Sequence, residues 1–376
     1  MNQNPAHGPN YPLRQSRLTT SMAAANLKLM ALNPGPSLVY LTGLHFHLSE
    51  RPVMALFAPH TPPVLVMPEL EAQKAKSLPF PVQIFLYGED PATWQAVFRQ
   101  AALAADMGAA PVGVEPTHLR FLELSLLQGA AADTPFVPAE EVVADLRMRK
   151  DDYEIDCMRQ AVIIAQKALE ATIPSIKAGV SEKQIAAELT INLFKAGSDP
   201  EFPFSPIVSG GPNSANPHAS PSERVLAPGD LLVIDWGAMF QGYASDLTRT
   251  FAIGAIEAEF KQIAEIVLQA NTAARKAARP GLTAGEVDQA ARKVIEQAGY
   301  GKFFIHRTGH GLGMEAHEPP YMRSGNNQVL DLGMTFTIEP GIYLPDRGGV
   351  RIEDNMVIVA GQAQSLSDFP RELMQL

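Results

Sequence analysis

Two 19-residue segments in the second half of the chain, GVSEKQIAAELTINLFKAG (179–197) and GLTAGEVDQAARKVIEQAG (281–299), match in length, in their leading glycine and in their closing Ala-Gly, at an offset of 102 residues. Each opens with a capping box, Ser181 to Gln184 and Thr283 to Glu286, in which a hydroxyl and a side-chain acceptor satisfy free backbone donors at a helix start. Each is preceded by another helical stretch and followed by strands. A helix, helix, strand-pair unit used twice predicts an α+β domain about a pseudo-twofold axis. A site between the two halves would draw ligands from both.

The rest of the chain surrounds that repeat. With 376 residues, 46% hydrophobic and 19% charged, the sequence is too long for one core and too apolar for disorder, so two globular domains are expected. From Arg14 to about Asp145, helices alternate with short apolar runs read as strands, SLVYLTGL, VMALFA, PVLVMP and VQIFLYG, which predicts a smaller α/β domain. The charged stretch ADLRMRKDDYEIDCMRQA then leads into a helix over residues 152–172. The expected domains are therefore 1–148 and 152–376.

The formal charge of -10 argues against a nucleic-acid partner, because no basic stripe is present to neutralise phosphates. The single cysteine, Cys157, permits no internal disulfide and fits a reducing cytoplasm. The first 20 residues carry no apolar signal-peptide core and no run of 18 apolar residues follows, so neither secretion nor membrane insertion is expected.

Two runs carry buried acids. LLVIDWGAMFQGYASDLTRTF (231–251) reads as a hairpin turning near 240–242. A two-residue turn centred between 240 and 241 sets Asp235 directly opposite Asp246, and a turn one residue later makes them diagonal; either way they share a face. TFTIEPGIYLPDRGGVRIEDNMVIV (335–359) repeats the pattern around Asp346, with Glu339 and Glu353 each seven residues from that centre. Opposed like charges among Val233, Ile234, Ile338, Ile342, Val350 and Ile352 destabilise a sheet unless compensated. Either cations bind there, or Arg249, Arg347 and Arg351 pair with the acids.

Of nine histidines, His7, His45, His47, His60 and His118 lie in the first domain without ligand-like spacing and read as surface or structural groups, as does His306. His218, His310 and His317 sit in glycine- or proline-marked loops, and glycines 309, 311 and 313 permit close backbone approach around His310.

The segments DWGAMFQGYASDLTRTF, HRTGHGLGMEAHEPP, TIEPGIY and GGVRIED resemble, in order and spacing, the metal-ligand motifs of the methionine aminopeptidase and prolidase superfamily, whose metallopeptidase domain has the pita-bread fold. The resemblance covers residues 152–359. The first domain is similar in layout to the N-terminal domain of creatinase, prolidase and aminopeptidase P.

The resemblance implies a dinuclear site in which Asp235 is a bidentate ligand to one metal, Asp246 and Glu353 bridge both, and His310 and Glu339 complete the other. Oxygen-dominated ligation with one imidazole suits Mn(II), with Co, Fe or Zn also compatible. It further implies Glu339 as the carboxylate that shuttles the water proton, and His218 and His317 as groups that hold the substrate and stabilise the oxyanion, worth roughly 2 to 4 kcal/mol per donor. Arg351 would orient the bridging carboxylate or a substrate carboxylate. A homodimer and a short proline-containing peptide substrate also follow from it.

Within the superfamily, the short first domain resembles the compact Xaa-Pro dipeptidases, and aminopeptidase P is the alternative. Some dipeptidases place a carboxylate-binding arginine four residues after the histidine matching His317. Here that position is Tyr321, and Arg323 is the candidate replacement. A lyase, an amidinohydrolase or a non-catalytic binding protein of the same fold are the readings from other classes.

Overall fold

The computed structural model describes residues 8–376. His7, read above as a surface or structural group, lies outside them. The described residues divide into two compact units, Pro9–Arg147 and the segment from Met148 to Leu376.

The first unit is built on a six-stranded mixed sheet in the order β4-β3-β2-β1-β5-β6. Its strands are β1 (Leu29–Leu32), β2 (Met54–Phe57), β3 (Val64–Pro68), β4 (Gln83–Tyr87), β5 (Val112–Val114) and β6 (Phe136–Pro138). The helices are α1 (Tyr11–Ala24), α2 (Pro36–Thr42), α3 (Pro91–Ala104), α4 (Phe121–Ala130) and α5 (Glu140–Met148). Trp94, Phe98 and Ala101 of α3 pack on Leu29, Leu56 and Val66 of the sheet.

One expectation fails here. SLVYLTGL is not a strand: its residues form α2, which starts with Pro36 in its first turn and stops at Gly43 in the left-handed region, φ 75°. Proline pre-sets the helical φ and glycine accepts the reversed one. The strand lies just before it, at LMAL.

In the second unit the repeat is explicit. Helices α6 (Asp152–Thr172) and α7 (Glu182–Ala196) are followed by strands β7 (Ile207–Gly210), β8 (Leu231–Trp236), β9 (Met239–Phe240), β10 (Tyr243–Ala244) and β11 (Leu247–Ala252). Helices α8 (Ala258–Ala277) and α9 (Ala284–Gln297) are followed by β12 (Gly309–Gly311), β13 (Glu318–Met322), β14 (Thr335–Ile338), β15 (Gly341–Leu344), β16 (Gly348–Arg351), β17 (Asp354–Val359), β18 (Gln362–Ser365) and β19 (Met374–Gln375).

Both capping boxes form with reciprocal bonds, Gln184 N to Ser181 Oγ and Glu286 N to Thr283 Oγ1 among them. The two caps also dock alike: Ser181 bridges Val225 and Thr283 bridges Val329, while Gly179 N donates to Leu226 O and Gly281 N to Leu330 O, each at 2.9 Å.

Each helix pair covers its own sheet. α6 and α7 bury Val162, Leu169, Ile185 and Leu189 against Leu232, Ile234 and Trp236, while α8 and α9 bury Ile263, Val267, Val287 and Ile295 against Phe336, Ile338 and Met356. Cys157 is part of the first of these cores. At about 25 cal/mol per Å² of apolar area, burial of this kind is the main stabilising contribution of the unit.

The sheets run β19-β11-β8-β7 and β13-β12-β14-β17-β18. They meet where Thr248 of β11 bridges Glu353, whose N–H donates to Thr248 O at 3.0 Å.

A clasp closes over the far side of this junction. Asp354, fully buried, accepts hydrogen bonds from Arg249, Arg371, Asn271 and Ser367. Arg249 also donates to the carbonyls of Phe369 and Pro370, so the segment 365–371 is tied to β11 and β17 together. Among the described residues no helix is long and apolar enough to cross a membrane.

Candidate metal centre

Strand register decides which acids meet. In the first hairpin Thr248 lies opposite Asp235 and Leu247 opposite Trp236, while Tyr243 pairs with Phe240 across a turn at Gln241 and Gly242. The turn is thus the later of the two anticipated, and Asp246 sits diagonal to Asp235 on the same face. Gln241 at φ 53° and Gly242 at φ 77° supply the reversed backbone such a turn needs.

In the second hairpin Ile342 pairs with Val350 and Leu344 with Gly348, and across β14 and β17 Ile338 pairs with Asp354. That register is centred on Asp346 throughout, so Glu339 and Glu353 face each other.

His310 is on a strand, β12, not in a loop as expected. The reason is Gly309, where a Cβ would lie 2.0 Å from Thr337 O; only glycine lets β12 close on β14. His310 Nδ1 faces its neighbour's carbonyl, Gly311 O, at 3.1 Å, which leaves Nε2 as the free lone pair. Nε2 stands 3.2 Å from Glu339 Oε1 and 3.6 Å from Asp246 Oδ2.

The five residues converge. Potential ligand atoms of Asp235, Asp246 and Glu353 lie within 4.8 Å of one another, as do those of His310, Glu339 and Glu353 and those of Asp246, His310 and His317. The arginine alternative is largely removed, because Arg249 pairs with Asp354 and Arg347 with Glu257 and Glu259. Only Arg351 reaches the acid cluster, at 2.6 Å from Asp235 Oδ2.

Two observations test whether these residues fit cations. Asp235 Oδ1 and Glu353 Oε1 are buried and have no hydrogen-bond partner among the described residues. Buried carboxylate oxygens without donors are costly unless a cation meets them. The electrostatics agree: burial first, then the charges of the neighbouring acids, push Asp246 and Glu353 well above the usual carboxylate range. Burial also raises Asp235, against the pull of Arg351. For Glu339, burial is outweighed by the hydrogen bond and charge that a protonated His310 would supply with no metal bound, together with the charges of His306 and Arg351, which hold it down at about 2.

Around the acids runs a layer of neutral and cationic donors. Arg351 does not contact Glu353 directly. Its Nε donates to Thr248 Oγ1, one terminal nitrogen to Tyr343 Oη and Pro217 O, the other to Asp235, and Thr248 Oγ1 in turn donates to Glu353 Oε2 at 2.7 Å. Tyr343 Oη meets His306 Nε2 at 2.8 Å, and His306 Nδ1 lies 2.7 Å from Arg307 O. His306 is a structural member of this chain.

His317 packs on His310 with ring centroids 4.0 Å apart. Desolvation of its ring, then the charges of His310 and Arg307, hold it down at about 4. His218 lies in the turn that includes Pro217, outside the ligand groupings. Arg323 is exposed and donates to Ser324 O beside it.

Sequence reasoning passed over Thr248, Tyr343 and Arg307. Thr248 was within reach, since it lies two residues after Asp246 and the strand period puts it on the same face. Nothing local marks Arg307.

A helix-paired domain used twice, with four carboxylates and an imidazole gathered where its sheets meet, has the build of a pita-bread metallopeptidase. Residues 156–360 match metallopeptidase family M24 and residues 14–149 match the creatinase/prolidase N-terminal domain. The chain belongs to metallopeptidase family M24, whose members use divalent metal ions.

It is 38% identical over 311 residues to the Xaa-Pro dipeptidase of Pyrococcus horikoshii, covering 82% of this chain and 85% of that one. It is 35% identical over 341 residues to the Xaa-Pro dipeptidase of Lactobacillus delbrueckii subsp. lactis, covering 90% and 92%. Recombinant prolidase from Thermococcus sibiricus superposes with a TM-score of 0.92 at 32% identity, covering 98% of this chain and 100% of that chain.

Proposed function

We propose that this chain is a dinuclear metal-dependent Xaa-Pro dipeptidase, with Asp235, Asp246, His310, Glu339 and Glu353 as ligands. The observation that carries the reading is the pair of donorless buried oxygens, Asp235 Oδ1 and Glu353 Oε1, inside a cluster of four acids met by a single guanidinium. The similarity to two Xaa-Pro dipeptidases over most of their length supports the substrate class.

When bound, two divalent ions would supply an activated water and polarise the scissile carbonyl. The residues of the chain do the rest. Glu339, whose carboxylate accepts from Thr337 Oγ1, accepts the water proton and passes it to the leaving nitrogen. That delivery matters for proline, whose amide nitrogen carries no hydrogen.

His317, low in pKa, is neutral near pH 7 and presents N–H or lone pair to the substrate beside His310. His218 serves the same end from the Pro217 turn. Arg351 and Thr248 hold Asp235 and Glu353 in place.

Oxygen-rich ligation with one imidazole favours Mn(II). The buried single thiol fits a cytoplasmic setting. A homodimer is supported by the outer edge of β4, which exposes Ile84 and Leu86.

The test is to strip the metal, reload with Mn(II), and assay an Xaa-Pro dipeptide, an Xaa-Pro tripeptide and an N-terminal Met peptide, with Asp246→Asn beside the wild type. Turnover of the dipeptide alone is expected. Failure on every proline substrate sinks the reading, and full activity in Asp246→Asn removes the ligand assignment.

A further inference from the structure

A dipeptide substrate ends in a carboxylate only one residue from the scissile bond. In a centre this rich in acid, that second negative charge needs its own cation. Arg351 is committed, since each of its three nitrogens already donates, to Asp235, Tyr343, Pro217 and Thr248. Arg323, the candidate from the sequence, is exposed and bonds its own neighbour's carbonyl.

Arg307 is different. The bend at His306–Thr308 turns it so that its guanidinium carbon lies 4.7 Å from the ring centroid of Tyr321. Tyr321 is the direct cross-strand partner of His310. The guanidinium is therefore stacked one residue away from a metal-centre ligand, and its charge is felt by His317.

It is half-buried, and no hydrogen bond or ion pair to its guanidinium is formed among the described residues. A half-buried cation set over a ring, with no hydrogen bond or ion pair to its N–H groups, keeps those donors available to a ligand. A guanidinium so placed suits a planar anion, because its in-plane N–H groups form a fork that matches a carboxylate.

We propose that Arg307, stacked on Tyr321, binds the C-terminal carboxylate of the dipeptide and thereby sets the length of substrate the centre accepts. The assignment rests on the dipeptidase reading. Tyr321, which occupies the position where an arginine was sought, becomes the platform for the arginine that does the work.

The experiment compares Ala-Pro with Ala-Pro amide in the Mn(II)-loaded wild type, Arg307→Gln, Arg307→Lys and Arg323→Gln. Losing a charge-assisted hydrogen-bond pair lowers kcat/KM by roughly 10- to 100-fold. Arg307→Gln is expected to lower the acid-to-amide ratio of kcat/KM by that factor, mainly through KM. Arg307→Lys recovers part of the ratio, and Arg323→Gln leaves it as in the wild type.

An unchanged ratio in Arg307→Gln, or a fall confined to Arg323→Gln, overturns the assignment while the peptidase reading stands. A wild type inactive on both substrates overturns the peptidase reading and the assignment with it. Retained turnover of the amide shows that the Arg307→Gln protein is folded.

Discussion

Asp246→Asn is expected to act in opposite directions on the metal-free and metal-loaded protein. Potential ligand atoms of Asp235, Asp246 and Glu353 lie within 4.8 Å of one another. Two unit charges at that separation repel by about 3.5 kcal/mol at an effective dielectric constant near 20. Protonation relieves part of this, so the gain on removing one charge at pH 7.5 to 8 is about 1 to 3 kcal/mol.

The sign follows from linkage. A carboxyl whose pKa is raised by the fold favours the folded state at low pH, and that stability is lost as pH climbs from the ordinary value of 3.8 through the raised one. Asparagine removes the loss. Metal-free Asp246→Asn should therefore melt above the metal-free wild type at pH 7.5 and level with it near pH 4.

With metal at one hundred times its Kd, the wild type gains about 2.7 kcal/mol and the variant gains little, so the order reverses. Thermal melts at both pH values, with and without chelator, give the four comparisons. An Asp246→Asn protein less stable than the wild type in the metal-free state at pH 7.5 would refute the picture of mutually repelling acids awaiting cations.

Two further substitutions probe the scaffold. Gly309→Ala places a Cβ 2.0 Å from Thr337 O and must shift β12 with His310 on it; about 100-fold loss in kcat/KM is expected, with far-UV circular dichroism preserved, and near-wild-type kinetics would show the strand is slack. Lys150→Met breaks the pair Lys150 Nζ to Glu318 Oε1, 2.5 Å long with side chains 1% and 5% exposed, and should cost about 3 to 5 kcal/mol in urea unfolding. Adding Glu318→Gln should return most of that loss; strictly additive losses would mean the two residues are uncoupled.

Much of the catalytic unit was legible because its signals are local and periodic. The capping boxes at Ser181 and Thr283 name helix starts outright, and the symmetry of Glu339 and Glu353 about Asp346 survives as the register of two successive strand pairs. The first hairpin was legible only to within one residue of turn, because either turn keeps Asp235 and Asp246 on one face.

What escaped depends on contacts between distant segments. Arg351 joins Asp235 rather than Glu353 because β16 crosses back beside Pro217 and Thr248, a placement no spacing encodes. The helix at 36–42 was misread because its apolar run suits either periodicity, although Pro36 and Gly43 framed it. Arg307 differs from any surface arginine only through the tyrosine beneath it.

The clasp on Asp354 has a consequence for the order of events in the cell. Asp235 leaves the ribosome roughly 7 to 27 s before Arg371 at ordinary elongation rates. For most of that interval Glu353 and β17 are still unmade, and only in the last roughly 1 to 4 s, between Glu353 and Arg371, are both strands present without the segment that ties them together. A product truncated before residue 365 loses the Ser367 and Arg371 bonds to Asp354 and the Phe369 and Pro370 carbonyls that hold Arg249, so it is expected to melt below the full chain.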